Sequence, residues 1–479
     1  MADAKTVRST DDGDRESELT RSITGRQLFF YTLGDVLGSG IYVLIGLVAA
    51  VVGGAFWIAF GIGVTVAAIT GTAYAELVTK YPQAAGAALY VNKAFGNKVL
   101  TFLVTVCFLS ASFAATGALA DGFASYFATL WEGPPALLVT LLFVLVLTIV
   151  NFIGITESVV INMIMAFIEI AGLVIVLIIG VWYIAEGNAD FATLTEFETA
   201  DTSPALAILA GVALSFFAMT GFENTANVAE ETIEPRRTFP RALIGGMITA
   251  GVIYVLVSMA AALTVPTDTL AESDAALLEV VKQGILPIST DFMATLFSVI
   301  AMIAITNTTL VAVVTQPRIL YGMAREDIVP GVFGKIHPTR RSPWVGLLFS
   351  GLVVAALLVI GLNVDLGDDT TLIGRLSLVT VLFLLFIYAL VIVSCLKLRG
   401  RDESEETYRA NTPLLLLGLV GNAAIFAWSV YDDPTSLIWC AGLVAVGVVL
   451  FLVEYFFGQR SRPPGAERGD PASTARGDL

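Results

Sequence analysis

Apolar residues run through this chain in long blocks separated by short polar connections, the pattern of a protein whose solvent is lipid. Runs long enough to cross a bilayer core, which takes about 20 residues, occur at 27–52, 55–79, 98–130, 136–153, 158–184, 204–229, 239–264, 291–321, 344–362, 371–396, 412–430 and 436–457. The expected fold is an all-α polytopic membrane protein with twelve transmembrane helices. One stretch of the first run breaks its own pattern: Leu33-Gly34-Asp35-Val36-Leu37-Gly38-Ser39-Gly40-Ile41. Each Gly costs a helix about 1 kcal/mol relative to Ala, and a freed backbone group inside lipid survives only against protein or a water-filled cavity. The stretch is therefore expected to unwind near Gly38–Gly40 and to bind something with its bare backbone. The alternative is that small residues merely let two helices pack closely.

The sixth run repeats the oddity. Ser215-Phe216-Phe217-Ala218-Met219-Thr220-Gly221-Phe222-Glu223-Asn224 sets Gly, Thr, Glu and Asn at mid-membrane depth. Broken helices at corresponding places in two halves mark a transporter's binding site. Five runs separate the two breaks, and five is odd, so the halves have opposite topology. Residues 27–184 and 204–396 are expected to form inverted repeats, with residues 412–457 as two peripheral helices. The coincidence of the two breaks weighs against simple packing.

Charge fixes the orientation. All but two of the 26 Lys and Arg fall in the tails and in alternate connections; the exceptions are Lys282 and Arg375. This asymmetry places both termini in the cytoplasm of a multi-pass protein of the cytoplasmic membrane. Residues 1–25 and 459–479 read as disordered cytoplasmic tails flanking a permease-like body at 26–458, with no cleavable signal. The opposite connections collect acids, among them Glu198, Asp201, Asp268, Asp274, Asp365 and Asp433, an outer face that suits a cell living in high salt. Residues 267–285 suggest an amphipathic lid over the outer mouth, and residues 81–95, too polar and interrupted to span, are expected to lie along the cytoplasmic surface.

Candidate chemistry is sparse. Only 14% of the 479 residues are charged, and the single histidine, His337, lies in a polar loop. Cys107, Cys395 and Cys440 sit far apart in apolar runs and read as core residues. A hydrolase or acyltransferase site at membrane depth has no constellation to draw on, so an enzyme is not expected. No metal site, cofactor or nucleic-acid partner is expected either. Ionisable residues within the hydrocarbon depth are usually functional: Asp35 and Glu223 flank the breaks and are candidates for gating or ion coupling. Glu76 and Arg318 lie near the inner ends, where pairing or snorkelling is as reasonable.

Four stretches resemble amino acid permeases of the amino acid–polyamine–organocation superfamily: Gly38-Ser39-Gly40-Ile41; Tyr74-Ala75-Glu76-Leu77 with Pro82, Gly86 and Tyr90; Phe217 through Glu223; and Arg318 through Asp327 with Pro330 and Phe333. The resemblance implies the leucine-transporter-type fold of five plus five inverted spans. It implies that the amides of Ser39, Gly40 and Ile41 bind a substrate carboxylate, and that the carbonyls of Leu37, Phe217, Ala218 and Thr220 bind its ammonium. Gly38, Gly40 and Gly221 let ligand approach the backbone without a Cβ. In sodium-coupled relatives, carbonyls matching Gly34 and Leu37 and hydroxyls matching Thr308 and Thr309 hold the ion. Many relatives carry a lysine where this chain has Glu169, with apolar residues on both sides. Burial disfavours a charged carboxyl unless a cation pairs with it, so Glu169 is a candidate to carry a coupling proton or cation, or else a structural acid.

The expected function is secondary active transport of an amino acid or related amine by alternating access, with H+ or Na+ as the coupling ion. No Gly-x-x-x-x-Gly-Lys-Ser/Thr motif for ATP is present. An exchanger or a nutrient sensor on the same fold is the alternative. The partners are the substrate and the bilayer, and the sequence leaves the oligomeric state open.

Overall fold

A computed structural model describes residues 23–82, 86–153, 159–197, 203–325, 328–340, 342–363, 371–401 and 407–457. The expected tails apart from residues 23–25, the expected outer acids Glu198, Asp201, Asp365, Asp368 and Asp369, and Glu326 and Asp327 of the permease motif lie outside the described residues. The described residues are all-α, and among them twelve helical spans are long and apolar enough to cross a membrane. In chain order the helices are α1 (Gly25–Leu37), α2 (Gly40–Val52), α3 (Trp57–Lys80), α4 (Gly86–Phe95), α5 (Lys98–Leu130), α6 (Ala136–Ile153), α7 (Val159–Ala185) and α8 (Pro204–Ala218). There follow α9 (Pro235–Thr264), α10 (Thr267–Glu272), α11 (Ala276–Lys282), α12 (Thr290–Arg325), α13 (Trp344–Asn363), α14 (Leu372–Lys397), α15 (Thr412–Asp432) and α16 (Ser436–Phe457).

Capping chemistry sets many of the starts. Thr24 and Gln27 form a reciprocal capping box at α1, while Asn97, Ser203, Thr371 and Asn411 cap α5, α8, α14 and α15 with side-chain oxygens. Burial then sorts centre from periphery. In the most apolar 18-residue window of the first span, formed by α1 and α2, 83% of residues are buried; in the last span, α16, the figure is 22%. The centre of the bundle is therefore built around the first break, and α15 and α16 lie outside it.

Two connections carry helices of their own. Residues 267–285, expected as an amphipathic lid, fold as α10 and α11, and their apolar face, Leu270, Leu277, Leu278 and Val281, is buried. Gly46 of α2 lies directly beneath it: a Cβ there would stand 2.6 Å from the Leu270 carbonyl oxygen. The segment after Pro82 forms α4, whose Tyr90 is buried edge-on against Tyr74. Cys107 and Cys395 are buried free thiols and Cys440 is half-buried.

Two ion pairs resolve charges that the sequence leaves loose. The Arg399 guanidinium donates to both oxygens of Glu76, from Nε at 3.0 Å and from Nη2 at 2.8 Å, and the Ala410 amide adds a third bond at 2.8 Å. Glu76 is thus paired, not snorkelling, and locks the end of α3 to the segment between α14 and α15. Arg375, which the sequence assigns to an outer connection, sits buried in the first turn of α14 and pairs with Asp433 at 2.9 Å.

Candidate substrate site

The first span breaks where its glycines fall. Helix α1 closes with the Gly38 amide donating to the Gly34 carbonyl, and α2 starts afresh at Gly40. The Ser39 amide turns sideways to donate to Thr308 Oγ1 of α12 at 3.2 Å. No side chain caps α2, so its first amides and the positive end of its dipole face the break. The Ser39 hydroxyl is buried there without a hydrogen-bond partner.

The second break answers the first. Helix α8 ends at Ala218, and the chain turns through Met219, Thr220 and Gly221. It then continues as a 3-10 helix over Phe222–Glu231 rather than as an α-helix. Gly221 sits at φ 114°, a conformation that only glycine adopts without strain. The two breaks touch. A Cβ at Gly40 would overlap the Ala218 backbone and lie 2.8 Å from the Ala218 Cβ; one at Gly221 would lie 2.7 Å from the Asp35 carbonyl oxygen.

Several of the freed backbone groups already have partners. Tyr254 Oη, from α9, lies within hydrogen-bonding distance of the carbonyls of Val36, Leu37 and Ala218, at 2.8 Å for Leu37 and 3.0 Å for Ala218. The Phe217 carbonyl accepts from the Thr220 hydroxyl at 2.7 Å. Glu223 Oε2 accepts from the Gly221 amide at 2.9 Å and from the Tyr388 hydroxyl of α14 at 2.7 Å. The two spans are also joined away from the breaks, where the Thr32 and Thr225 hydroxyls meet at 3.3 Å and Ile23 pairs with backbone on either side of Thr232.

A cavity of about 70 Å3 opens between the breaks, α5, α12 and α14. At roughly 10–15 Å3 per water it has room for several waters. Of the residues expected to form the site, Asp35, Gly38, Ser39, Gly40, Phe217, Ala218, Thr220, Gly221, Glu223 and Thr308 line it. Leu37, Ile41, Gly34, Thr309 and Glu169 are not among its lining residues. The Thr309 hydroxyl bonds the Ile305 carbonyl of its own helix, the ordinary behaviour of a helical threonine. Glu169, in α7, is fully buried with neither carboxyl oxygen hydrogen-bonded, and stands within electrostatic reach of Asp35, Tyr42 and Tyr254.

Sequence reasoning passes over the far wall, where Phe108, Ser112, Thr315, Thr380 and Leu384 complete the cavity opposite Asn224 of the second break. Hydroxyls at 112, 315 and 380 in otherwise apolar runs are the available signal. Tyr254 offers none, being an aromatic residue in an apolar run. The assembled site presents amide donors and a helix dipole on one side, carboxyls on another, and an apolar wall. That arrangement suits a small zwitterion and contains no nucleophile–base pair.

A helical membrane bundle with two touching, broken spans around a central cavity is the architecture of a transport protein. The comparisons give the family: its sequence pattern, amino acid permease, matches residues 23–459, and the chain belongs to that family and is not an enzyme. The chain is 25% identical to a methylthioribose transporter of Bacillus subtilis (strain 168) over 461 residues, covering 92% of this chain and 94% of that protein. It is 24% identical to the branched-chain amino acid permease BcaP of the same organism over 362 residues, 71% of this chain and 75% of the other. A human relative, cationic amino acid transporter 4, is 27% identical over 411 residues, 81% and 62% of the two chains.

Proposed function

We propose that this permease is a secondary active transporter that moves an amino acid or related amine across the cytoplasmic membrane by alternating access, driven by an ion gradient. The observation that carries the reading is the contact between the two breaks, with uncapped α2 amides facing a cavity that also holds two carboxyls. The α2 amides and the Ser39 hydroxyl take the substrate carboxylate. The carbonyls at the second break, with the acids beside them, take the ammonium. Residues 27–184 and 204–396 act as inverted repeats rocking about the site, and both termini are cytoplasmic.

Ion coupling is assigned to the buried acids Asp35, Glu169 and Glu223, with H+ or Na+ as the ion. Thr308, on the cavity wall, is an oxygen ligand available to the ion, and Gly34 and Thr309 are the further oxygens that the family resemblance implies. Glu169 is the strongest candidate because neither oxygen of its buried carboxyl has a hydrogen-bond partner. The test is transport by Glu169→Gln across external pH, with and without Na+. Loss of the wild-type pH or Na+ dependence supports the assignment. Unchanged dependence makes Glu169 structural and moves coupling to Asp35 or Glu223.

A further inference from the structure

A cluster of phenols lies against Glu223, beside the second break. Tyr388 of α14 donates to Glu223 Oε2 at 2.7 Å. Its ring meets that of Tyr74, from α3, edge-on at 6.1 Å, and Tyr74 meets Tyr90, from α4, at the same distance. Phe222 closes the cluster, with its ring 5.6 Å from Tyr74 and 5.1 Å from Tyr388. All four rings are buried. The hydroxyls of Tyr74 and Tyr90 have no hydrogen-bond partner among the described residues. A buried hydroxyl without a bond is costly, and phenylalanine would pack the same ring without that cost. Two such oxygens on neighbouring rings call for a role outside packing.

The surrounding titratable groups give the cluster a direction. Glu223, Tyr90 and Tyr388 stand within electrostatic reach of Tyr74, while Glu76, two residues along α3, is committed to Arg399. Tyr388 also stands within reach of Asp35, and Asp35 of Glu169. Buried titratable groups thus follow one another from Glu169 past the cavity to Tyr90. Asn92 and Lys93, on the same short helix as Tyr90, are exposed. The three tyrosines are not among the residues lining the cavity, so the line of phenols leaves Glu223 by a route of its own.

Resting on the transporter reading with H+ as the coupling ion, we infer that Tyr74 and Tyr90 carry the proton from Glu223 to the inner face. A proton held on the Glu223 carboxyl passes to the Tyr388 oxygen as the Tyr388 hydroxyl proton, turned away from the carboxyl, passes to Tyr74. Tyr74 hands its own proton to Tyr90, directly or across a bridging water, and Tyr90 releases one to the solvent beside α4. Each phenol oxygen gains one proton and loses one, so the tyrosines end neutral and Glu223 ends as a carboxylate.

Exchange separates substrate movement from proton movement. Full-length protein is reconstituted with a pH dye trapped inside, and an inward H+ gradient is imposed. Uptake of a labelled mixture of the twenty protein amino acids is followed together with acidification of the lumen. Exchange against the same mixture preloaded, without a gradient, is measured in parallel, since it moves no net proton. Tyr74→Phe and Tyr90→Phe keep the rings and are expected to melt no lower than wild type. Each should lose at least tenfold in driven uptake and in acidification, while exchange stays within twofold of wild type. Should one variant not fold, the other decides. Driven uptake within twofold of wild type in both variants, or exchange that falls as far as uptake, overturns the inference. So does wild-type uptake without acidification, because H+ is then not the coupling ion; the transporter reading survives that result. Wild-type protein that neither takes up nor exchanges any amino acid overturns that reading as well.

Discussion

Tyr254 Oη lies 2.8 Å from the Leu37 carbonyl and, in the same position, 3.0 Å from that of Ala218. One hydroxyl thus ties the broken ends of the first and sixth spans to α9. A phenol has a single hydrogen to donate, so three converging carbonyls share it and all depend on it.

Tyr254→Phe is therefore expected to do more than remove one bond. It strands buried carbonyls at both breaks, at a cost of about 1–3 kcal/mol. Thermal unfolding of the purified variant measures this, and a melting temperature equal to wild type's would show that other groups satisfy the carbonyls.

Gly40 bears on packing and on binding at once. A Cβ there would overlap the Ala218 backbone, so Gly40→Ala is expected to force the two breaks apart, lowering stability and abolishing substrate binding. Gly40→Leu exceeds what the site can absorb and is expected to fail to fold. The sequence alone suggests a milder outcome, a Leu variant that folds and only loses its ligand. Ligand binding by Gly40→Ala within twofold of wild type would place the carboxylate elsewhere.

Much of this was legible in the residues, and what was not has a physical cause. The twelve spans follow from run length, which the bilayer dictates. The breaks follow from Gly38, Gly40 and Gly221, because backbone permissiveness is a local property. The 3-10 course of Phe222–Glu231 was not foreseen; its polar residues break an α-helix pattern without specifying a replacement. Long-range partners are silent in sequence. Nothing near Glu76 announces Arg399, and nothing near Leu37 announces Tyr254. The apparent equivalence of Thr308 and Thr309 also dissolves, since Thr308 reaches the Ser39 amide while Thr309 bonds only its own helix.

Arg399→Ala leaves Glu76 buried without its cation. Removing one partner of a buried ion pair costs about 3–5 kcal/mol, and the Glu76 side chain is 4% exposed. The variant should express poorly or melt well below wild type. The double change Glu76→Gln with Arg399→Gln should recover much of the loss, because no uncompensated charge remains. A double variant no better than Arg399→Ala would show that the hydrogen bonds of Arg399 to Thr412 and Ala410, not the charge pair, hold the segment.

Orientation in the membrane is checked by labelling. Single cysteines at Glu279 and at Arg340, introduced after the native cysteines are replaced, should react with an impermeant reagent from outside and from inside respectively. The reverse pattern would invert the positive-inside assignment.

Concentrative uptake into proteoliposomes tests transport most directly. Purified protein is reconstituted, an inward H+ or Na+ gradient is imposed, and accumulation of a labelled amino acid that binds the purified protein is followed. The expected result is accumulation above the external concentration that collapses when an ionophore dissipates the gradient. Accumulation that never exceeds equilibrium under either gradient, with no exchange against preloaded amino acid, would contradict secondary active transport.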